Sequence, residues 1–205
     1  VINAFQNWLM GMQGGSKYIL GAIVGGMCGV DFGGPIGKTA SLFANGLLVD
    51  GIYGPEVVKL VTCMIPPVGV TLSYILTRNK YTKAEKEAVK AAFPMGICMI
   101  TEGENPLAMN DPLRVIGSSV IATSIAGGLT MVLGIENYVT AGGWFIIPLS
   151  NKPMMMAAMV ALGGVIMGVI LSLWKKVVTE DDSMDFGMEQ ENGESTTEGM
   201  TFENF

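Results

Sequence analysis

The densest gathering of groups able to do chemistry lies between Ile97 and Arg114, ICMITEGENPLAMNDPLR, where Glu102, Glu104, Asn105, Asn110, Asp111 and Arg114 stand between apolar flanks. The flanks decide what the carboxylates mean. Ionisable groups at membrane depth are expensive and usually mark the path of a solute or an ion. On residue type alone Glu102 is either a loop-tip carboxylate in headgroups or water, or an acceptor for a solute's hydroxyls that can also serve as a general base. Gly103 beside it would let a ligand approach the backbone closely. Asp111 precedes Pro112, the order of a helix N-cap followed by proline at the first helical position. Arg114, one turn on, can pair with Asp111 or meet a phosphate.

A second polar break, DFGGPIGK, runs from Asp31 to Lys38. It reads either as a tight turn between two apolar segments or as a cavity wall, with Asp31 and Lys38 lining it and Gly33 and Gly34 admitting a ligand. Its glycines lack the GxxxxGK[ST] spacing of a phosphate-binding loop. The chain has no histidine, so acid–base work falls to carboxylates. Cys28, Cys63 and Cys98 are far apart in apolar runs. They are expected to be buried structural thiols, with neither a disulfide framework nor a metal site. No metal, other cofactor or nucleic acid is called for.

The elements that must position these groups are hydrophobic. Half of the 205 residues are apolar and 15% are charged, against about a quarter charged in soluble domains. Nine of the eighteen acids lie from Glu180 to Glu203, where there is no Lys or Arg, so the remainder carries nine acids against twelve bases. The 28 glycines and 16 methionines suit helices that pack closely in lipid.

Along the chain, Tyr18 to Val30 is an apolar, Gly-rich span that ends at the first break. Thr39 to Val49 is too short to cross a bilayer, which needs about 20 helical residues, and reads as re-entrant or half-crossing. Val57 to Leu76 is long enough, with Pro66-Pro67 expected to kink or break it; such breaks survive only within protein or a water-filled cavity. Arg78 to Lys90 carries five bases against two acids, looks amphipathic after Thr82, and is placed in the cytoplasm by its charge. Ala91 to Ile100 is again short. Leu113 to Ile135 is a spanning candidate, Val139 to Leu149 another short piece, and Met154 to Trp174 the cleanest span, with Gly163, Gly164 and Gly168 as a packing face. Trp174-Lys175-Lys176 puts the C-terminus in the cytoplasm. Beyond it, residues 177–205 read as a disordered acidic tail, and residues 1–176 as the membrane domain. The first residue is not Met, and the chain is expected to be a fragment or processed piece. The fold expected is an all-α integral membrane protein in which transmembrane helices alternate with re-entrant or broken segments, the pattern of a binding site built near the midplane.

ITEGENPLAMNDPLRVI resembles the ITEGAIPFA…DPLRVIPS signature of the fructose-family sugar phosphotransferase permeases, the enzyme IIC components, and DFGGPIGKTA resembles their DMGGPVNKAA segment. The resemblance covers about Gly21 to Trp174 and takes the two motifs in the family's order. It implies a multi-pass protein of the bacterial inner membrane that carries a sugar while a phosphorylated B domain, charged through an A domain, phosphorylates it. It also implies a homodimer and a lipid bilayer as partners. By this likeness Glu102 matches the family's essential glutamate, and Asp31, Lys38, Asp111 and Arg114 fall on recurrent polar positions. Glu104 and Asn105 stand where the family usually has Ala and Ile, and Gly37 where it has Asn, which points to a substrate other than plain fructose. The amino-terminal half of a complete permease is expected to be missing. With no phosphate carrier here, the phosphorylated residue belongs to a partner. An ion-coupled secondary transporter using Glu102 or Glu104 is the competing reading; a membrane scaffold would have little reason to keep carboxylates beside broken hydrophobic segments.

Overall fold

The computed structural model describes residues 14–49 and 51–175. The acidic segment read as a tail lies outside them. Among the described residues seven α-helices follow in order: α1 Gly14–Val30, α2 Pro35–Val49, α3 Gly54–Leu76, α4 Lys83–Ile97, α5 Asn105–Asn110, α6 Pro112–Val132 and α7 Pro153–Trp174. Short 3-10 turns stand at Arg78–Lys80, Glu102–Glu104 and Gly143–Leu149. No strand occurs among the described residues. Helices α3, α6 and α7 are long and apolar enough to cross a membrane, and they match the three full-length spans expected.

Small residues set how these helices pack. A Cβ on Gly21 would stand 2.5 Å from the Gly127 carbonyl oxygen, and one on Gly127 would stand 2.6 Å from the Gly21 oxygen. Gly29 meets Thr123 and Ser119 instead. Helices α1 and α6 therefore run antiparallel with their backbones nearly touching, as glycine allows. Helix α7 lies parallel to α3, with Gly164 against Val68 and Gly168 against Leu72. Leu60, Met64, Ile65, Met156, Met167 and Leu171 fill the core between them. On its other side α7 leaves Leu162, Val165, Val169 and Leu173 exposed, an apolar face that water would not favour.

Three excursions interrupt this bundle. Helices α1 and α2 form a hairpin whose apex is Asp31–Gly34. Helices α4 and α5 form a second, with both feet at the end where α6 begins and α7 finishes. The segment between α6 and α7 enters from the opposite end, its neck closed by Asn151 N donating to the Glu136 carbonyl at 3.1 Å. Its Gly143 comes so close to the Ile97 carbonyl that a Cβ could not fit, and Phe93 and Trp144 pack edge to face at 6.1 Å. Gly96, near the top of the second hairpin, lies flat against Pro67, halfway along the 23 residues of α3.

Two expectations are corrected. Pro66-Pro67 does not break α3, which is one helix through both prolines. Neighbouring helices hold it on several sides, and such support lets a membrane helix tolerate lost N–H donors. Ala91 to Ile100 is not a separate segment either. A capping box starts α4, with Glu85 N donating to Thr82 Oγ1 at 3.2 Å and Thr82 N to Glu85 Oε2 at 3.0 Å. The buried stripe Glu85, Val89, Ala92, Gly96 then continues across the change from charged to apolar sequence.

Candidate functional site

The two polar breaks meet. Glu102 opens the 3-10 turn at the apex of the α4–α5 hairpin, and its Oε1 would stand 3.0 Å from a Cβ on Gly33. Gly33 has φ +99°, a region open to glycine and strained for other residues. Glu102 itself is exposed. Its carboxylate is therefore presented at a junction between two hairpin tips. Phe32 and Met99, one at each tip, have φ of +42° and +66°. Non-glycine residues are rarely held so, and where they are, neighbouring packing must impose it.

Asp31 builds the first tip. Its carboxylate accepts from Ile36 N at 2.6 Å and Gly37 N at 3.0 Å, capping the start of α2 in the manner of an N-cap acid. A Cβ on Gly37 would stand 2.8 Å from Asp31 Oδ1, so the small residue there serves the cap. Gly34 folds over the same side chain. Lys38 is exposed on the first turn of α2 and has no ion-pair partner among the described residues.

Gly103 faces α4 and no open space: a Cβ there would stand 3.0 Å from Ala92 Cα. Its missing side chain lets the tip pack. Glu104 is fully buried, and neither of its carboxylate oxygens has a hydrogen-bond partner among the described residues. Burial pushes its carboxyl up to about 9, with the negative charge of Glu102 acting in the same direction. Asn105, half-buried, begins α5.

The remaining candidates sit at the foot of the hairpin, one α5 length or about 9 Å from its tip at 1.5 Å per residue. Asn110 donates to Glu85 Oε1 at 2.6 Å, so its amide ties the two hairpin legs together. Lys175, at the end of α7, reaches the same oxygen at 2.8 Å and stands over the Tyr81 ring. Burial pushes the Tyr81 hydroxyl up to about 12, and the hydroxyl donates to Ser73 Oγ at 2.8 Å. Asp111 occupies the N-cap position of α6 without a side-chain capping bond. It pairs with Arg114 at 2.7 Å instead.

Sequence reasoning passed over one charged pair inside the bundle. Lys59 and Glu56 meet at 2.5 Å in α3, both buried, and Lys59 also donates to Asn45 Oδ1 at 3.3 Å and the Thr140 carbonyl at 2.9 Å. An acid and a base three residues apart in a spanning helix were the available signal. The thiols need a correction as well. Cys28 is buried and within hydrogen-bonding reach of Cys63, which is half-buried, whereas Cys98 is exposed because it ends α4 where the chain turns out to the tip. Among the described residues no cluster of His, Cys, Asp and Glu could hold a metal ion.

No family model matches the chain, and no solved structure matches it significantly. Curated relatives do. The fructose-specific EIIC component of the phosphotransferase system (PTS) of Haloferax volcanii is 40% identical over 82% of this chain and 45% of its own length. The fructose-specific EIIB'BC component of Haemophilus influenzae is 37% identical over 85% of this chain and 32% of its own length. The fructose-specific EIIABC component of Bacillus subtilis is 37% identical over 87% of this chain and 28% of its own length. The chain thus spans less than half of each of these proteins. With three spanning helices, the two hairpin tips in contact and these relatives, the chain belongs to the fructose family of phosphotransferase-system permeases and is part of an integral membrane component.

Proposed function

We propose that the chain is the substrate-site part of a permease that moves a sugar across the membrane as a phosphorylated B domain transfers its phosphoryl group to a sugar hydroxyl. The observation that carries this reading is the exposed Glu102 carboxylate, set against Gly33 of the other motif at the junction of two hairpin tips. A carboxylate so presented can accept a hydrogen bond from a hydroxyl and take its proton as the hydroxyl oxygen attacks phosphorus. The new P–O bond forms as the bond from phosphorus to the B domain breaks. The chain has no histidine, and the phosphorylated residue is the partner's. Relatives whose names join A, B and C parts support A and B domains as those partners.

Within this reading Glu102 acts on the reacting hydroxyl. Gly33, Gly34, Gly103 and Asp31 shape the tips around it, and Lys38 adds a positive charge beside the first tip. Glu104 and Asn105 tune the site toward a sugar other than fructose, and Asn110, Asp111 and Arg114 hold the hairpin's foot. The bases of Arg78–Lys90 together with Lys175 put that foot, and the C-terminus, in the cytoplasm of a bacterial inner membrane, the side from which a B domain would come. The membrane domain ends near residue 176, just past α7, and the segment 177–205 is a separate tail. The family resemblance adds a homodimer.

The test is Glu102→Gln in the full-length system, assayed in vesicles with phosphoenolpyruvate and the soluble phosphocarriers. Sugar phosphate formation should fall by about 10²-fold or more, with membrane insertion unchanged. Near-normal turnover would remove Glu102 from the chemistry. Accumulation of free sugar that collapses with an ion gradient would favour ion-coupled transport instead.

A further inference from the structure

Helix α4 carries lysines at 83, 86 and 90, a spacing that puts them on one face. Lys83 and Lys90 are exposed and Lys86 is half-buried. The opposite face, Glu85, Val89, Ala92 and Gly96, is buried. None of the three lysines, nor the exposed Arg78 just before them, has an ion-pair partner among the described residues. The acid of this exposed surface, Glu87, leaves it strongly basic.

The end of α7 lies against the start of α4. Lys175 bonds Glu85 at 2.8 Å, and Lys80 donates to the Ser172 carbonyl at 2.7 Å. The chain therefore leaves α7 beside Lys83 and Lys86. The next acids are Glu180, Asp181 and Asp182, followed by six more up to Glu203 with no Lys or Arg among them. Five residues past Lys175 reach up to about 17 Å when extended, and the stripe from Lys83 to Lys90 is about 10 Å long. Such a short tether gives the acids an effective concentration of about millimolar at the lysines.

We infer that the acidic segment Glu180–Glu203 docks on the lysine stripe of α4 and screens that surface from other anions. Anionic lipid headgroups are the competing occupant. The tail is favoured because it is tethered within reach and complementary in charge, whereas the stripe's access to headgroups depends on how deep α4 sits.

The experiment places the full chain in phosphatidylcholine vesicles, with and without phosphatidylglycerol, and follows amine labelling of Lys83, Lys86 and Lys90 by mass spectrometry. The comparison is with the triple variant Glu180→Gln, Asp181→Asn, Asp182→Asn, and Lys152 at the other end of the bundle is the internal control. In the parent chain the three lysines should label more slowly than in the variant, by about threefold or more. The difference should vanish at about 0.5 M salt, where screening is short-ranged, and should not depend on phosphatidylglycerol. Equal labelling in parent and variant overturns the inference, and so does protection that follows phosphatidylglycerol regardless of the tail.

Discussion

Among the described residues two carboxyl groups are buried completely, Glu56 in α3 and Glu104 at the α4–α5 tip, and they are accommodated in opposite ways. Glu56 meets the ammonium of Lys59, which is held in turn by Asn45 and the Thr140 carbonyl. Three pieces of chain are thereby tied at the N-terminal end of α3. Glu104 has no such partner among the described residues, and burial raises its carboxyl toward the protonated form. A buried charge must be paired or neutralised. The first solution stiffens a scaffold; the second leaves a titratable group two residues from the exposed Glu102.

The largest effect that tests this contrast is expected at Lys59. Lys59→Met strands Glu56 without its cation, and loss of one partner of a buried pair costs about 3–5 kcal/mol. Unfolding of the purified protein in mixed detergent should show it, and Glu56→Met added to the same protein should restore most of the loss. A single variant as stable as the parent would mean that the pair is no tie.

A smaller effect is expected from the proton on Glu104. Its folded value of about 9 lies above the ordinary 4.5, so its contribution is full below about 4.5, where both states hold the proton. Between the two values the unfolded chain has lost the proton and the folded chain retains it, and stability falls by up to about 1.4 kcal/mol per pH unit. The fall ends as the folded carboxyl ionises near 9. Glu104→Gln should lack this slope, and parallel pH curves for parent and variant would refute the neutral carboxyl. The smallest effect is expected below pH 5, where glutamine replaces a neutral group of the same shape and stability should change by less than about 1 kcal/mol.

Long apolar runs were readable without coordinates because membrane crossing imposes a length. The spans expected at Val57–Leu76, Leu113–Ile135 and Met154–Trp174 differ from α3, α6 and α7 by only a few residues at either end. Asp111-Pro112 likewise announced the start of α6, although the Asp111 carboxylate turned to Arg114. What local pattern could not supply was the meeting of distant segments. Lys59 finds Thr140 from 81 positions away, and Gly103 faces α4 only because a hairpin closes there. Proline's intrinsic penalty suggested a break in α3 that tertiary support overrides. For Glu102, chemistry was legible from residue type and flanks, whereas its place opposite Gly33 emerged only from the two tips coming together.

Cys98 stands four residues before Glu102 and is exposed, whereas Cys28 is buried and Cys63 half-buried. Nature has thus left one accessible thiol beside the tip. A fluorophore or spin label attached there would watch the hairpin directly, in a protein otherwise unaltered.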